Sequence, residues 1–284
     1  MCPMNPRLLR PLAGGVHPEA DAWRTAVVAN GGSVSAATVK AVSKFCADID
    51  AAGIRDRFFR LSLMCGDNLS AVLVPLYRGQ SRTGTQHGNA TDTNVGAFVS
   101  DDYSPTNGLR GRSGKALETG LGNATITSLI ADIGFGAYVP IDQNAICPIM
   151  GFDNFNTPAN PLNCRVWRVS NGTVRYSANG VTYDEPSASV SVVNGRFLTV
   201  SRSSGTTTLY INGTSAATDS TGPPISQTGE TFAVLAFKRG ATYTDAVNVN
   251  LTVGAYHIGT SLTNAQASSL NNAMKTFQQA IGRP

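Results

Sequence analysis

The chain has 284 residues, 14% of them charged, and a formal net charge of +4. That length supports a full hydrophobic core, and a typical domain is about a quarter charged; here Gly, Ser, Thr and Asn make up the difference, as in an all-β protein with many turns. The basic residues are scattered rather than blocked, so nothing tracks a phosphate backbone and nucleic acid is not an expected partner.

The start, Met1-Cys2-Pro3-Met4-Asn5-Pro6-Arg7, lacks the apolar core of a secretory signal, and no later run approaches the length of a membrane span. The expectation is a soluble chain made in a cytoplasm, without membrane insertion. Cys2, Cys46, Cys65, Cys147 and Cys164 are odd in number and far apart, which fits neither a disulfide framework nor a CxxC metal site. They read as small buried hydrophobes.

The first region is helical. Pro18 suits a first helical turn, Glu19 and Asp21 complement the positive end of the helix, and Asn30-Gly31-Gly32 stops it. Ser35 caps a second helix, whose apolar residues Val39, Val42, Phe45, Cys46 and Ile49 recur at helical spacing until Gly53. Phe59, Leu61, Leu63 and Cys65 then alternate with Arg60, Ser62 and Met64 as in a strand, and Asn68 opens a short apolar segment. Residues 1–76 read as a helical N-terminal adaptor region, and 77–103, poor in large apolar groups, as a linker or long loop.

From 104 to 284 the period changes to two. Short β-branched or aromatic runs cover 129–135, 146–150, 164–169, 174–178, 190–193, 197–201, 209–211, 232–237 and 247–258. Between them fall Asn171-Gly172, Asn179-Gly180, Asn194-Gly195, Ser204-Gly205 and Asn212-Gly213, dipeptides that tolerate the positive φ angles of tight hairpins. The run Phe232–Phe237 is apolar on both faces and is expected to be one central strand. In the last run Val247, Val249, Leu251 and Val253 point inward and Asn248, Asn250 and Thr252 outward. Thr263 and Gln266 have the spacing of a capping box before a final helix striped by Leu270, Ala273, Met274, Phe277 and Ile281.

The segment from Arg196 to Arg202, the Ser204-Gly205 turn, and Leu209-Tyr210-Ile211-Asn212-Gly213 resemble the paired central strands of laminin G-like and concanavalin A-like domains. The run from Val247 to Ile258 with Ser261-Leu262-Thr263 resembles the final strand of that superfamily. The resemblance implies a mainly β fold, a two-sheet antiparallel jelly-roll sandwich with a small helical N-terminal region and a C-terminal helix. The ordering, including Asn5-Pro6-Arg7-Leu8-Leu9-Arg10-Pro11 and Val27-Val28-Ala29-Asn30-Gly31-Gly32, also resembles uncharacterised structural proteins of tailed bacteriophages. That implies a virion protein, a decoration, tail-fibre or baseplate component. Its partners would be other virion proteins, further copies in a trimer or hexamer, and a host surface glycan. The alternative is a free carbohydrate-binding lectin.

Catalytic patterns are not found. Glu19, Glu118, Glu185 and Glu230 form no ExDxxE glucanase motif. Gly66-Asp67-Asn68 resembles the GDS block of GDSL esterases, but Asn68 is no nucleophile and reads as a helix cap. His17, His87 and His257 lack zinc-helix spacing, and His257 reads as a structural residue on an apolar strand. The expectation is a protein that is not an enzyme and needs no cofactor, with calcium unsupported by a matched motif. Candidate ligand contacts are Asp153 and Asn154 in a polar loop, Trp167, and Tyr243 with Asp245 in the loop before the last strand. Trp167 reads first as a core residue and Asp153-Asn154 first as turn chemistry.

Overall fold

The computed structural model describes residues 15–122, 124–126, 129, 131–141, 147–154, 162–169, 173–180, 187–189, 195–220, 229–245 and 251–284. Two helices come first, α1 (Pro18–Ala29) and α2 (Ala36–Ala51). The His17 ring accepts from the Glu19 amide to cap α1, and Ser35 accepts from the Thr38 amide to cap α2. Strand β1 (Phe58–Ser62) follows, and the one-turn helix α3 (Leu69–Val72) is capped by Asn68, whose side chain accepts from the Ala71 amide at 3.1 Å.

Short strands β2 (Thr93–Val95), β3 (Tyr103–Ser104), β4 (Gly108–Arg110) and β5 (Ala116–Glu118) lead into the longer β6 (Ile133–Val139), β7 (Cys147–Asn154), β8 (Leu162–Val169) and β9 (Thr173–Gly180). After them come β10 (Ser187–Ser189), β11 (Arg196–Ser203), β12 (Thr206–Ile211), β13 (Thr214–Asp219), β14 (Ala233–Val234), β15 (Ala236–Arg239), β16 (Thr242–Asp245), β17 (Thr252–Val253), β18 (Ala255–Gly259) and the helix α4 (Asn264–Ala280). One sheet runs β1-β18-β6-β11-β12-β13; the other runs β10-β9-β8-β7-β14-β5-β2, with β15 and β16 attached beside β7; β17, β4 and β3 form a small third sheet. This is the antiparallel sandwich that the sequence implies.

Alternation along the first sheet sorts its side chains between two apolar layers. Phe135, Ala137, Leu198, Val200, Leu209 and Ile258 face the second sheet, where Phe232 packs between Phe135 and Phe152 with ring centroids 5.1 and 5.0 Å apart. On the opposite side Tyr138, Phe197, Tyr210 and Ala255 meet Trp23, Phe45, Leu270 and Phe277 of the three long helices. The chain is thus layered helices, sheet, sheet, and the helices cover only the first sheet. Residues 77–103 are tied into this body, because Tyr77 bridges Leu61, Asp92 is buried against Arg60, and β2 forms an edge of the second sheet.

Ser204-Gly205 and Asn212-Gly213 turn β11 into β12 and β12 into β13, with φ of 51° and 84°, and 51° and 75°. Asn179-Gly180 instead ends strand β9, paired through Gly180 to Asn163. The run Phe232–Phe237 is not one strand. Val234 and Leu235 both enter the core between the sheets, which consecutive residues of a regular strand do not do, and Leu235 achieves it at φ 63°, breaking the run into β14 and β15. The last run is divided as well, at Gly254, between the third sheet and the first. Thr252, expected to face outward, is buried, its hydroxyl accepting from the Ile141 amide at 3.0 Å. Asn171-Gly172, residues 190–193, Asn194 and residues 247–250 lie outside the described residues.

Candidate ligand face

The second sheet has one side on the core and one side that the helices leave free. On β8 and β9, Cys164, Val166, Val174, Tyr176 and Ala178 take the core side. Alternation therefore places Arg165, Trp167, Arg175 and Ser177 on the other, with Trp167 opposite Arg175 and Arg165 opposite Ser177 in the strand register. Gly151, opposite Arg165, sits at φ 148°; a Cβ there would come within 2.3 Å of the Cys164 carbonyl. A side chain at 151 would force β7 away from β8.

The structure puts Asp153 and Asn154 at the end of β7 and Tyr243 and Asp245 on β16, in strands rather than the expected loops. Asp153 is 1% exposed, and its carboxylate accepts from Arg239 Nε at 2.5 Å and Nη2 at 2.9 Å, with Arg165 Nη1 at 3.4 Å. Its partners are thus guanidinium groups. The side chains of Asn154 and Asp245 lie outside the described residues. Trp167 is half-buried, not a core residue. Its ring meets Phe237 edge-on at 6.4 Å, and the guanidinium carbons of Arg165 and Arg175 lie 5.6 and 5.7 Å from its centroid.

Tyr243 belongs to a second polar group on the sheet. Its hydroxyl donates to Glu118 Oε2 at 2.6 Å, Thr231 donates to Oε1 at 2.8 Å, and Lys238 pairs with the same oxygen. Burial alone would raise the Glu118 carboxyl, but these donors outweigh it and hold it below the usual carboxylate range. Burial, with the same carboxylate beside it, pushes the Tyr243 hydroxyl up, so it stays a donor. Sequence reading missed Glu118, Arg165, Arg175, Lys238 and Arg239. Arg165 and Arg175 could have been found from the alternation that places Trp167, because they share its face on β8 and β9.

No protein-family model matches the chain, and no curated protein matches it. Solved structures do match. One described as HCR/D-Sa-GBL1/C aligns with a TM-score of 0.54 at 14% identity, over 78% of this chain and 52% of that one. An HCR/D point mutant aligns with a TM-score of 0.51 at 13% identity, over 77% and 52%. Trypanosoma rangeli sialidase in complex with sialic acid gives 0.49 at 14% identity, over 78% and 33%. This chain therefore spans about a third to a half of the length of these proteins. The likeness shows a fold, the lectin-like β-sandwich of jelly-roll type.

The expectation that the chain is not an enzyme is overturned by the sialidases among these matches. Missing glucanase and esterase motifs do not by themselves exclude an enzyme. A TM-score below 0.5 assigns no particular activity either.

Proposed function

We propose that the chain is a carbohydrate-binding β-sandwich protein whose ligand face is the outer side of β7, β8 and β9. The observation that carries this reading is the half-buried Trp167 ring with the guanidinium groups of Arg165 and Arg175 near it. At 5.6 and 5.7 Å those groups stand near the limit of cation–π contact. Arg55 over Tyr77, at 3.7 Å, shows what a seated stack looks like in the same chain. The half-buried indole would offer apolar surface to a sugar ring, and the exposed Arg175 would offer donors to its hydroxyl or acidic groups. Around it, Asp153 with Arg239 and Glu118 with Lys238 and Tyr243 are fixed polar pairs, the kind of convergent groups that orient a ligand on a mostly rigid surface.

A glycan array with the purified chain tests the reading. A defined set of glycans bound by the wild type and lost in Trp167→Ala is the expected result, and no binding, or binding unchanged by that substitution, sinks it. The virion role rests on the sequence resemblance alone, and none of the three structures named above is described as a virion protein.

A further inference from the structure

Away from that face, the helical layer holds a cluster of a different chemistry. His17, Glu19 and Cys46 each offer one ligand atom, and these atoms lie within 4.8 Å of one another where the first turn of α1 meets α2. Glu19 and Cys46 are buried. Tyr77, 1% exposed, has a hydroxyl that lies against the Cys46 thiol and, among the described residues, makes no hydrogen bond. A buried polar atom left in that state is costly unless something else satisfies it.

Imidazole, carboxylate and thiolate together suit zinc rather than calcium or magnesium. The surroundings are arranged for the ligating form of the histidine. His17 Nε2 lies 3.0 Å from Asp50 Oδ2 and Nδ1 faces the Glu19 N–H, an arrangement that places the ring proton on Nε2 and the lone pair on Nδ1. Without metal that lone pair faces the Glu19 amide at 3.3 Å, a long contact. Arg55 Nε donates to the Glu19 oxygens at 2.8 and 3.0 Å and sets a positive charge beside them. Glu19, Asp50 and Arg55 carry one net negative charge. Zinc and the thiolate it creates add one positive charge, and the loaded cluster is neutral.

We propose that His17, Glu19 and Cys46 form a zinc site that pins α1 to α2, with the fourth position beside the Tyr77 hydroxyl. On binding, the Cys46 S–H bond breaks, its proton passes to solvent and a zinc–sulfur bond forms, so one proton is released per metal.

The full chain, stripped with a chelator, is titrated with Zn²⁺ against a chromophoric competitor and with Co²⁺ followed by absorbance. One equivalent of zinc, one proton released and a thiolate-to-cobalt charge-transfer band are expected. Cys46→Ala removes the band, and Asp50→Asn, altering a half-exposed side chain that only orients His17, weakens binding about ten-fold. If Cys46→Ala does not fold, His17→Gln takes its place and must weaken zinc binding with a native circular dichroism spectrum. A stripped wild type that takes up no zinc overturns the proposal, as does a folded Cys46→Ala or His17→Gln protein that binds it as the wild type does.

Discussion

Arg60 on β1 and Asp92, 32 residues further along, meet at 2.7 Å with neither side chain exposed to solvent. The Tyr256 hydroxyl lies 2.7 and 2.8 Å from the two Asp92 oxygens, and Arg60 Nη1 donates to the Asn89 carbonyl at 3.0 Å. The network fastens the Gly- and Asn-rich segment to the two strands β1 and β18. Breaking a buried pair from one side strands a charge and costs about 3–5 kcal/mol. Asp92→Ala is expected to lose that much in urea unfolding, a large part of a typical domain stability of about 5–15 kcal/mol. Tyr256→Phe removes one hydrogen-bonding group and is expected to cost about 1–3 kcal/mol. A loss below about 1 kcal/mol in Asp92→Ala would mean the pair does not hold the segment.

Arg175 is exposed, and the ring of Trp167 opposite it is half-buried. Substituting an exposed residue away from caps and cavities changes stability by about 0.5 kcal/mol or less, so Arg175→Gln separates binding from folding. On the proposed face this variant keeps the wild-type unfolding midpoint and loses affinity, most of all for glycans carrying an acidic group. Equal affinity for neutral and acidic glycans in both proteins would remove Arg175 from the site.

Much of this fold was legible because its signals are local. Ser35 and Thr263 announce helices within a few residues, and Ser204-Gly205 and Asn212-Gly213 announce hairpins by the φ angles they tolerate. The polar pairs were not legible, because their partners are distant in sequence. Asp153 meets Arg239 across 86 residues and Glu118 meets Tyr243 across 125, and no spacing rule connects them. The break at Leu235 was hidden for a different reason. An all-apolar run reads the same whether it is one buried strand or two pieces that both press side chains into the core. Trp167 was noticed, but whether it faces the core or the free side depended on which sheet the helices cover, and that is a property of layering.

Gly136 lies mid-strand in β6, between β11 and β18, and a Cβ there would fall 2.1 Å from the Leu198 carbonyl oxygen and 2.8 Å from the Thr199 Cα. Both obstacles are backbone of a paired strand, so the ladder would have to open. Gly136→Ala is expected to prevent folding or to cost more than about 3 kcal/mol, at the overpacking extreme. Gly205→Ala is the control. Its φ is 84° but the space around it is open, so only the backbone penalty of about 1–2 kcal/mol applies. Thermal unfolding of the two variants should rank them in that order, and equal losses would show that the close approach in β6 is relieved by small shifts.

His257 is 1% exposed between the rings of Phe58 and Phe197, with Nε2 at 3.2 Å from the Thr199 hydroxyl. Burial pushes its pKa down to about 3. An unfolded histidine titrates near 6.5, so between these values the unfolded chain binds a proton that the folded chain refuses. Stability is therefore full above about pH 6.5 and is lost as pH falls, by up to about 1.4 kcal/mol per pH unit, or about 2–3 kcal/mol by pH 4.5. Asp102 acts in a lower window. Burial opposes ionisation, but Lys115, Arg112 and the Val99 amide hold its carboxyl at about 2, so its contribution is present above about pH 4 and disappears only as pH falls from there. The two windows separate the groups. His257→Gln should flatten the stability profile between pH 6.5 and 4.5 and leave the fall below pH 4 in place. A profile that keeps its full slope in the upper window would show that the imidazole takes up its proton in the folded chain.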